Sequence, residues 1–356
     1  MVDPLTPYKG RGAPVSPANR FEKFSLERDE EWTEDDPLPR TQFLKDRSRS
    51  IIATNDSPDL GFDASINPYR GCEHGCIYCY ARPTHEYLGF SAGLDFETKI
   101  MVKEKAPELL RAALMSPKWK PRILVSSGVT DCYQPVERRL QLTRRCLQVL
   151  SEFRNPVGII TKNHLVTRDI DILSELARYN AAHVTVSVTS LRHELARDLE
   201  PRTSMPKARL DAIRALSSAG ISVGVNIAPV IPGLNDHEIP AILEACREAG
   251  ARTAGYVLLR LPYAVAPLFE KWLEAHHPGS KEKILHRIRD VRGGRLYDSR
   301  WSVRQKGEGF YAEQLINLFK VSRRKAGYET SPPALSTSSF RRPDGPQLRL
   351  FDDSPA

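Results

Sequence analysis

From about residue 60, short apolar runs rich in β-branched residues alternate with longer stretches in which apolar residues recur every three or four positions. Runs of this kind favour buried strands. They extend from Arg122 to Ser127, Pro156 to Thr161, Ala182 to Val188, Ile221 to Pro229 and Thr253 to Leu259, with one more near Ala64 to Asn67. The pattern therefore predicts six strands.

The stretches between these runs have the periodicity of amphipathic helices. Two of them end in Ala-Gly, a common helix stop, and Pro206 stands where a proline is tolerated in the first turn. With roughly 30 residues from one strand to the next, the alternation is typical of repeated βα units. The predicted fold is α/β: a partial barrel of six βα units around a parallel sheet, smaller than the usual barrel of about eight. The helical segments are APELLRAALMS, RRLQLTRRCLQVLSEF, RDIDILSELARYN, PKARLDAIRALSSAG and EIPAILEACREAG.

The two ends of the chain differ from this core in composition. Residues 1–55 are rich in Pro, Asp, Glu and Arg, with an acidic run from Glu27 to Asp36, which predicts an extended or partly disordered lead-in. The core barrel is expected over residues 56–270 and a basic helical extension over 271–328. Ser, Pro and Thr dominate from residue 329, which predicts a disordered tail over 329–356.

Composition narrows the class of protein. The chain has 356 residues, of which 40% are hydrophobic and 27% charged, as in ordinary soluble globular proteins. It contains no apolar run long enough to predict a membrane span, and its first residues lack the apolar segment of a secretory signal. We therefore expect a cytoplasmic protein without a membrane partner. In a reducing compartment, metal-binding or catalytic roles are favoured over disulfide bonds for the six cysteines.

The formal net charge of +8 has a local excess in the C-terminal extension. The segment from Lys281 to Phe310 holds nine Lys or Arg against four Asp or Glu, with Tyr297 and Trp301 interleaved. Such a pattern is typical of a surface that binds a nucleic-acid backbone. A solvated basic face without such a partner is the alternative, and the sequence leaves both open.

Three cysteines, Cys72, Cys76 and Cys79, lie in the segment INPYRGCEHGCIYCYARP, directly after the first predicted strand. Structural zinc sites and closed iron–sulfur sites use about four ligands, so a fourth ligand is either elsewhere or absent. A four-iron cluster with three thiolates would leave one iron open to a reacting ligand. Gly71 and Gly75 give the loop the backbone freedom to turn all three sulfurs toward one cluster.

Two other metal sites are consistent with these cysteines. His74 could complete a zinc site, although its spacing differs from that of paired zinc knuckles. Cys132, Cys146 or Cys246 could instead be the fourth ligand of a closed cluster. Cys146 and Cys246, however, lie in apolar helical patterns that are typical of buried small hydrophobic residues.

The C-x3-C-x2-C spacing after a strand, in a chain of βα units, resembles the motif of the radical S-adenosylmethionine superfamily. The branch related to spore photoproduct lyase, often described as DNA repair photolyase-like, is similar over residues 60–262. The resemblance implies a [4Fe–4S] cluster on the three cysteines and reductive cleavage of S-adenosylmethionine to a 5′-deoxyadenosyl radical. It rests on the segments SINPYRGCEHGCIYCYARPTHEYLG, SSGVTDCYQPVE, IITKN, RDIDIL, LEPRTSMPKARLDAIRALSSAG and APVIPGLND.

The resemblance also implies roles for residues that bind the methionine and adenine parts of the cofactor. Tyr78 precedes the third cysteine and is expected near the adenine. Ser127 and Thr130 follow the second strand and are expected near the methionine amino group, with a plain Ser/Thr turn as the alternative. Lys162 ends the third strand, where its ammonium could pair with the methionine carboxylate.

Four further residues are expected on the ribose or sulfonium side of the cofactor. Ser187 stands on the fourth strand and Asn226 on the fifth. Glu200 and Arg202 belong to the segment EPR, and a structural ion pair is the equally weighted alternative for them.

Cys132 replaces the proline that the related segment would carry beside Asp131. As a thiol at the mouth of the site, it could donate a hydrogen atom to a substrate radical. A neutral replacement of the proline is the alternative.

The function implied by the resemblance is an enzyme that abstracts hydrogen from a substrate, with lyase-like repair of a nucleic-acid lesion as the leading hypothesis. Radical modification of RNA or protein is a second hypothesis. A non-enzymatic zinc or iron–sulfur module that binds nucleic acid is a third. The enzyme hypotheses imply an electron donor such as flavodoxin or ferredoxin.

The end of the chain, GPQLRLFDDSPA, contains a short apolar motif formed by Gln347, Leu348, Leu350 and Phe351. A disordered segment rarely exposes Leu and Phe unless a partner receives them. The pattern resembles the motif by which bacterial polymerases and repair proteins dock on the replication sliding clamp, a peptide-in-groove mode. The alternative is that this segment folds back onto the barrel.

Overall fold

The structure is a computed structural model that describes residues 10–22, 40–331 and 334–343. Each apolar run of the sequence forms a strand, and the amphipathic stretches form helices. The strands are β1 (Gln42–Lys45), β2 (Ile52–Thr54), β3 (Ala64–Ile66), β4 (Tyr69–Arg70), β5 (Lys99–Val102), β6 (Leu124–Ser126), β7 (Val157–Thr161), β8 (Ala182–Ser187), β9 (Ser222–Val230) and β10 (Thr253–Leu258).

The helices follow the same alternation. They are α1 (Leu94–Thr98), α2 (Ala106–Met115), α3 (Glu137–Leu140), α4 (Leu142–Phe153), α5 (Ile170–Ala177), α6 (His193–Leu199), α7 (Pro206–Ser218), α8 (Ile239–Glu248), α9 (Val265–His276), α10 (Lys281–Asp290), α11 (Val303–Lys306) and α12 (Phe310–Lys325). The helix predicted before Phe153 is divided into α3 and α4, because Gln141 has a φ of 51° that a right-handed helix cannot continue. Among the described residues, no helix is both long and apolar enough to cross a bilayer.

The main sheet has seven strands in the order β10-β9-β8-β7-β6-β3-β2. The six strands from β3 to β10 in this sheet are parallel to their neighbours, and β2 is antiparallel to β3. This arrangement confirms the predicted α/β fold and its partial barrel of six parallel strands. Because Ser126 pairs with Ile159 and Ser187 with Asn226, the carboxyl ends of these strands meet at one edge.

The N-terminal region contributes structure that the composition does not predict. Strand β1 pairs with β5 in a second, three-stranded sheet of order β1-β5-β4. Ala13 is fully buried and packs with Ile77 and Tyr78 beside the cysteine segment. The sequence pattern does not predict β1 because this strand, QFLK, is mostly exposed and lacks an apolar face. The acidic run from Glu27 to Asp36 lies outside the described residues.

The described part of the predicted disordered tail is packed on the barrel. Glu329 forms an ion pair with Arg252, and the ring of Phe340 lies 6.2 Å from that of Phe153 between centroids. The backbone N–H of Arg341 donates to the carbonyl oxygen of Phe153 at 2.9 Å. One aromatic anchor in a Ser/Pro-rich segment carries no periodic signal, so composition alone predicts disorder there. The motif from Gln347 to Phe351 lies outside the described residues.

Candidate functional site

The cysteine loop lies between β4 and a short 3₁₀ helix, Arg82–Leu88. Cys72, Cys76 and Cys79 all line one cavity of about 240 Å³ at the carboxyl edge of the main sheet. Gly75 takes a φ of 69°, and a Cβ there would lie 2.8 Å from a carboxylate oxygen of Glu97. The turn between the first two cysteines therefore requires glycine, and the loop brings all three cysteines to the wall of one cavity.

A fully buried ion pair holds the loop from behind. The Nε of Arg82 donates to the carbonyl oxygen of Cys76 at 3.0 Å, and its guanidinium also pairs with the carboxylate of Glu97. That carboxylate accepts the backbone N–H groups of Gly12 at 3.0 Å and Ala13 at 2.9 Å. The N-terminal segment thus packs against the cysteine loop through Glu97. No sequence motif predicts this contact.

Burial controls the ionisation of the three thiols. Desolvation raises the pKa of Cys72 and Cys76 well above the ordinary value and raises that of Cys79 as well. Lys162 opposes this effect at Cys76 and Cys79, which places its ammonium electrostatically close to both sulfurs. In the metal-free protein the thiols are therefore protonated at neutral pH, and metal binding would release protons.

The other three cysteines do not approach this cavity. Cys132, Cys146 and Cys246 all belong to the hydrophobic core, and none of them lines the cavity. No thiol of the described chain is thus available as a fourth ligand there. This agrees with the expectation that Cys146 and Cys246 are buried small hydrophobic residues.

His74 lines the cavity, but both of its ring nitrogens already face protein groups. Its Nδ1 lies 3.5 Å from a carboxylate oxygen of Asp131, and its Nε2 lies 3.1 Å from the side-chain amide of Asn163. Burial lowers the pKa of His74 to about 4. With both ring nitrogens engaged, His74 has no free nitrogen to offer the zinc alternative.

The strand ends place six of the predicted cofactor-binding residues around the same cavity. They come from the cysteine loop, the loop after β6, the ends of β7 and β8, and the middle of β9, as expected for a ligand site along the carboxyl edge of a parallel sheet. The residues are Tyr78, Ser127, Thr130, Lys162, Ser187 and Asn226.

The loop after β6 is internally bonded. Ser127 Oγ donates to the carbonyl oxygen of Thr130 at 2.7 Å and accepts the backbone N–H of Cys132 at 3.1 Å. Thr130 Oγ1 donates to the carbonyl oxygen of Tyr69 at 2.9 Å. Both hydroxyls therefore shape the loop that faces the cavity. Lys162 differs: its Nζ lies 5.8 Å from the centroid of the Tyr78 ring, and no carboxylate of the described residues pairs with it.

Glu200 and Arg202 are not among the residues that line the cavity. Nor do they pair with each other. Glu200 is fully buried and pairs with Arg209, and it accepts hydrogen bonds from Tyr78 and from Thr189. Glu200 therefore positions the Tyr78 ring from behind.

Arg202 lies 3.5 Å from the carboxylate of Glu73 instead. The segment EPR did not reveal these ion pairs, because Glu200 and Arg202 each pair with a residue outside that segment.

Cys132 is not at the mouth of the cavity. Its side chain is fully buried in the core, while the neighbouring Asp131 lines the cavity and accepts a hydrogen bond from Thr161 Oγ1 at 2.8 Å. Burial raises the pKa of the Cys132 thiol well above its ordinary range. The structure therefore places Cys132 among the packing residues of the core, and its role as a hydrogen donor stays a prediction.

The sequence-based search did not assign several residues that line the cavity. They are Tyr80, Arg260 and Gln305, together with Leu60 and Phe62. Arg260 stands two residues after β10, so the same strand-end rule would have found it. Gln305 comes from α11 in the C-terminal extension, and no local pattern connects it with the barrel.

The basic segment from Lys281 to Phe310 uses five of its nine cations internally. Each of these five is bonded to a carboxylate or to backbone carbonyl groups, which reduces the number of cations available to a nucleic-acid backbone. Lys283, Arg289, Arg295 and Lys306 make no side-chain hydrogen bond or ion pair with other described residues. The five are Lys281 with Glu274, Arg287 with Asp290, Arg292 with three carbonyl oxygens, Arg300 with Asp298 and Glu308, and Arg304 with Asp59.

Residues 66–246 match the family model of the Radical SAM superfamily. The match spans more than half of the chain and contains the cysteine loop together with strands β6 to β9 of the main sheet. The chain therefore belongs to the Radical SAM superfamily, whose cofactors are a [4Fe–4S] cluster and S-adenosylmethionine, as the sequence predicts.

Relatives of this chain occur in bacteria and archaea. An uncharacterized protein of Mycobacterium tuberculosis is 38% identical over 234 residues, which cover 65% of this chain and 68% of that one. An uncharacterized protein of Methanocaldococcus jannaschii is 30% identical over 245 residues, which cover 69% of this chain and 87% of that one.

Among solved structures, spore photoproduct lyase shares the fold. Its complex with a dinucleoside spore photoproduct matches with a TM-score of 0.58 and 16% identity, covering 80% of each chain. A mutant of the same lyase with bound AdoMet matches with a TM-score of 0.51 and 16% identity, again over 80% of each chain. At these identities the likeness concerns the fold alone.

Proposed function

We propose that this protein is a radical SAM enzyme in which Cys72, Cys76 and Cys79 hold the cluster. The observation that carries the proposal is that three cysteines of one loop, one buried and two half-buried, line a single cavity with polar residues from the strand ends and without a fourth cysteine among the described residues. When bound, the cluster supplies the electron that cleaves S-adenosylmethionine and so generates the radical that abstracts hydrogen from the substrate.

The residues around the cavity have distinct tasks in this proposal. Lys162 carries the unpaired ammonium nearest the thiols and binds the methionine carboxylate. Tyr78, held by Glu200, forms a wall for the adenine. The loop shaped by Ser127 and Thr130 faces the methionine amino group.

Ser187 and Asn226, paired across β8 and β9, contact the ribose. A flavodoxin or ferredoxin supplies the electron, and the cytoplasm is the proposed location, in keeping with six unpaired cysteines.

Metal analysis combined with a cleavage assay tests this function. Protein purified and reconstituted without oxygen is expected to contain about four irons per chain and no stoichiometric zinc. After reduction with dithionite in the presence of S-adenosylmethionine, it is expected to release 5′-deoxyadenosine. One zinc per chain without cleavage would instead establish the non-enzymatic metal module.

For the substrate, we propose a nucleic-acid lesion as the first candidate. The support is the fold shared with spore photoproduct lyase, whose complex contains a dinucleoside photoproduct, and the unpaired cations Lys283, Arg289, Arg295 and Lys306 of the C-terminal extension. Lyase-like repair is the corresponding reaction. Modification of RNA or protein is the second candidate, because the shared fold does not determine the substrate.

We also propose that Gln347, Leu348, Leu350 and Phe351 dock on a bacterial sliding clamp. The support is the motif itself at the end of a Ser/Pro-rich segment that supplies reach. A peptide spanning Pro346 to Ala356 is expected to bind purified clamp from the same organism, and Gln347→Ala with Phe351→Ala should remove binding. If the wild-type peptide shows no affinity at high micromolar concentration, the motif has no clamp function.

A further inference from the structure

Arg260, like Lys162, is a cation of the cavity wall without a carboxylate partner among the described residues. It lines the cavity two residues after the end of β10. Its Nε is buried without a hydrogen-bond partner, and no ion pair joins its guanidinium to any described carboxylate. The guanidinium lies 4.7 Å from the centroid of the Tyr80 ring, which leaves its edge available to a ligand.

The neighbouring guanidinium groups, in contrast, are used by the protein. Arg292 donates to the carbonyl oxygens of Leu259 at 2.8 Å and Arg304 at 3.0 Å. Arg304 in turn forms an ion pair with Asp59 at 2.6 Å. These contacts attach the C-terminal extension to the strand end that carries Arg260 and therefore hold Arg260 in place.

No anion of the described cavity wall remains for Arg260. The carboxylate that lines the cavity belongs to Asp131, which accepts hydrogen bonds from Thr161 Oγ1 and from the backbone N–H of Lys162, each at 2.8 Å. Outside the wall, Asp59 lies electrostatically near Arg260, but it already pairs with Arg304 and accepts the backbone N–H of Ser302 at 2.6 Å. The half-buried guanidinium of Arg260 is therefore left without a described carboxylate of its own, which points to an anionic ligand at this position.

In the proposed function the methionine carboxylate already has a partner in Lys162, which lies against the Tyr78 ring. Arg260 lies against a different ring, that of Tyr80. We therefore assign the two cations to two different ligand groups.

We propose that Arg260 binds a backbone phosphate of a single-stranded segment of nucleic acid whose target nucleotide enters the cavity. This rests on the proposed function, since the same cavity holds the cofactor. A guanidinium matches phosphate geometry through two parallel hydrogen bonds. Tyr80 and Trp301, whose side chains are 43% and 51% exposed, offer stacking surfaces in this region, and Lys306 is exposed next to Gln305.

The test is the binding of a fluorescein-labelled ten-thymidine DNA strand, measured by anisotropy without reductant. Arg260→Gln is expected to raise the dissociation constant for this strand at least about tenfold. It should also reduce the slope of log affinity against log salt concentration by about one. Arg178→Gln is the matched control, because Arg178 follows α5 at the opposite edge of the sheet and its side chain is 77% exposed. Its binding should equal that of wild type.

A strand with uncharged methylphosphonate linkages identifies the group that Arg260 contacts. Wild type and Arg260→Gln should bind this uncharged strand equally weakly, because it offers Arg260 no phosphate charge to contact. Thermal unfolding of Arg260→Gln should resemble that of wild type, because no hydrogen bond of the described residues is removed.

Equal binding of the DNA strand by wild type and Arg260→Gln overturns the inference, as does a loss that persists on the uncharged strand. Absence of binding by wild type also overturns it. Failure to release 5′-deoxyadenosine would count against the proposed function instead, because the binding assay does not depend on cleavage.

Discussion

A Cys76→Ala protein is expected to release no detectable 5′-deoxyadenosine. The substitution leaves two thiols on the cavity wall, and the remaining cysteines, Cys132, Cys146 and Cys246, are enclosed in the hydrophobic core. None of these can replace the lost ligand without unfolding the barrel. Iron per chain after anaerobic reconstitution and 5′-deoxyadenosine release after reduction are the two measurements.

Cys146→Ala is the matched control for this experiment. Cys146 lies in α4 and is nearly fully buried in the core, so its loss removes packing alone. We expect a decrease of about 1 kcal/mol in the free energy of unfolding, with iron content and cleavage as in wild type. Full cleavage by Cys76→Ala would show that the cluster has other ligands.

The second large effect is expected at the ion pair between Arg82 and Glu97. Both side chains are fully buried. Arg82 donates to the carbonyl oxygen of Cys76, and Glu97 accepts the backbone N–H groups of Gly12 and Ala13. Glu97→Gln leaves the Arg82 guanidinium buried without its counter-charge. Breaking such a pair costs about 3–5 kcal/mol. We expect a loss of this size in urea unfolding of the metal-free protein, together with fewer irons per chain after reconstitution.

Two comparisons make this prediction specific. In Arg82→Met with Glu97→Gln, both charges are gone, so the double variant should be more stable than the sum of the single losses predicts. Glu175→Gln, which breaks an exposed pair with Arg178, should leave unfolding unchanged. If Glu97→Gln unfolds at the wild-type urea concentration, the ion pair does not hold the cysteine loop.

The parts of the site that follow from periodicity and strand direction were predictable. The parallel strands and their shared edge follow from apolar runs separated by amphipathic helices, and the edge brings Ser127, Lys162, Ser187 and Asn226 to the thiols. These residues are found by their place in the repeat, so no knowledge of distant contacts is needed.

Predictions from neighbours in the sequence fared less well. Glu200 and Arg202 stand two residues apart, yet they pair with Arg209 and Glu73 respectively. Cys132 follows Asp131, which lines the cavity, but Cys132 stands in a turn and its side chain packs into the core.

The contacts that close the site were not predictable from any local pattern. Gly12 and Ala13 bind Glu97 through backbone N–H groups, which every residue except proline possesses. Phe340 packs on Phe153 from a segment without periodicity. Such contacts depend on the tertiary path of the chain, and sequence composition contains no record of that path.

The most direct test of an open iron beside this cavity is low-temperature electron paramagnetic resonance of the reduced, reconstituted protein, recorded before and after S-adenosylmethionine is added. Three cysteine ligands leave one iron able to bind the amino and carboxylate groups of the cofactor, so the signal of the reduced cluster should change on addition. An iron-loaded protein whose spectrum is identical with and without S-adenosylmethionine would contradict the assignment of Cys72, Cys76 and Cys79 as the ligands of an open cluster.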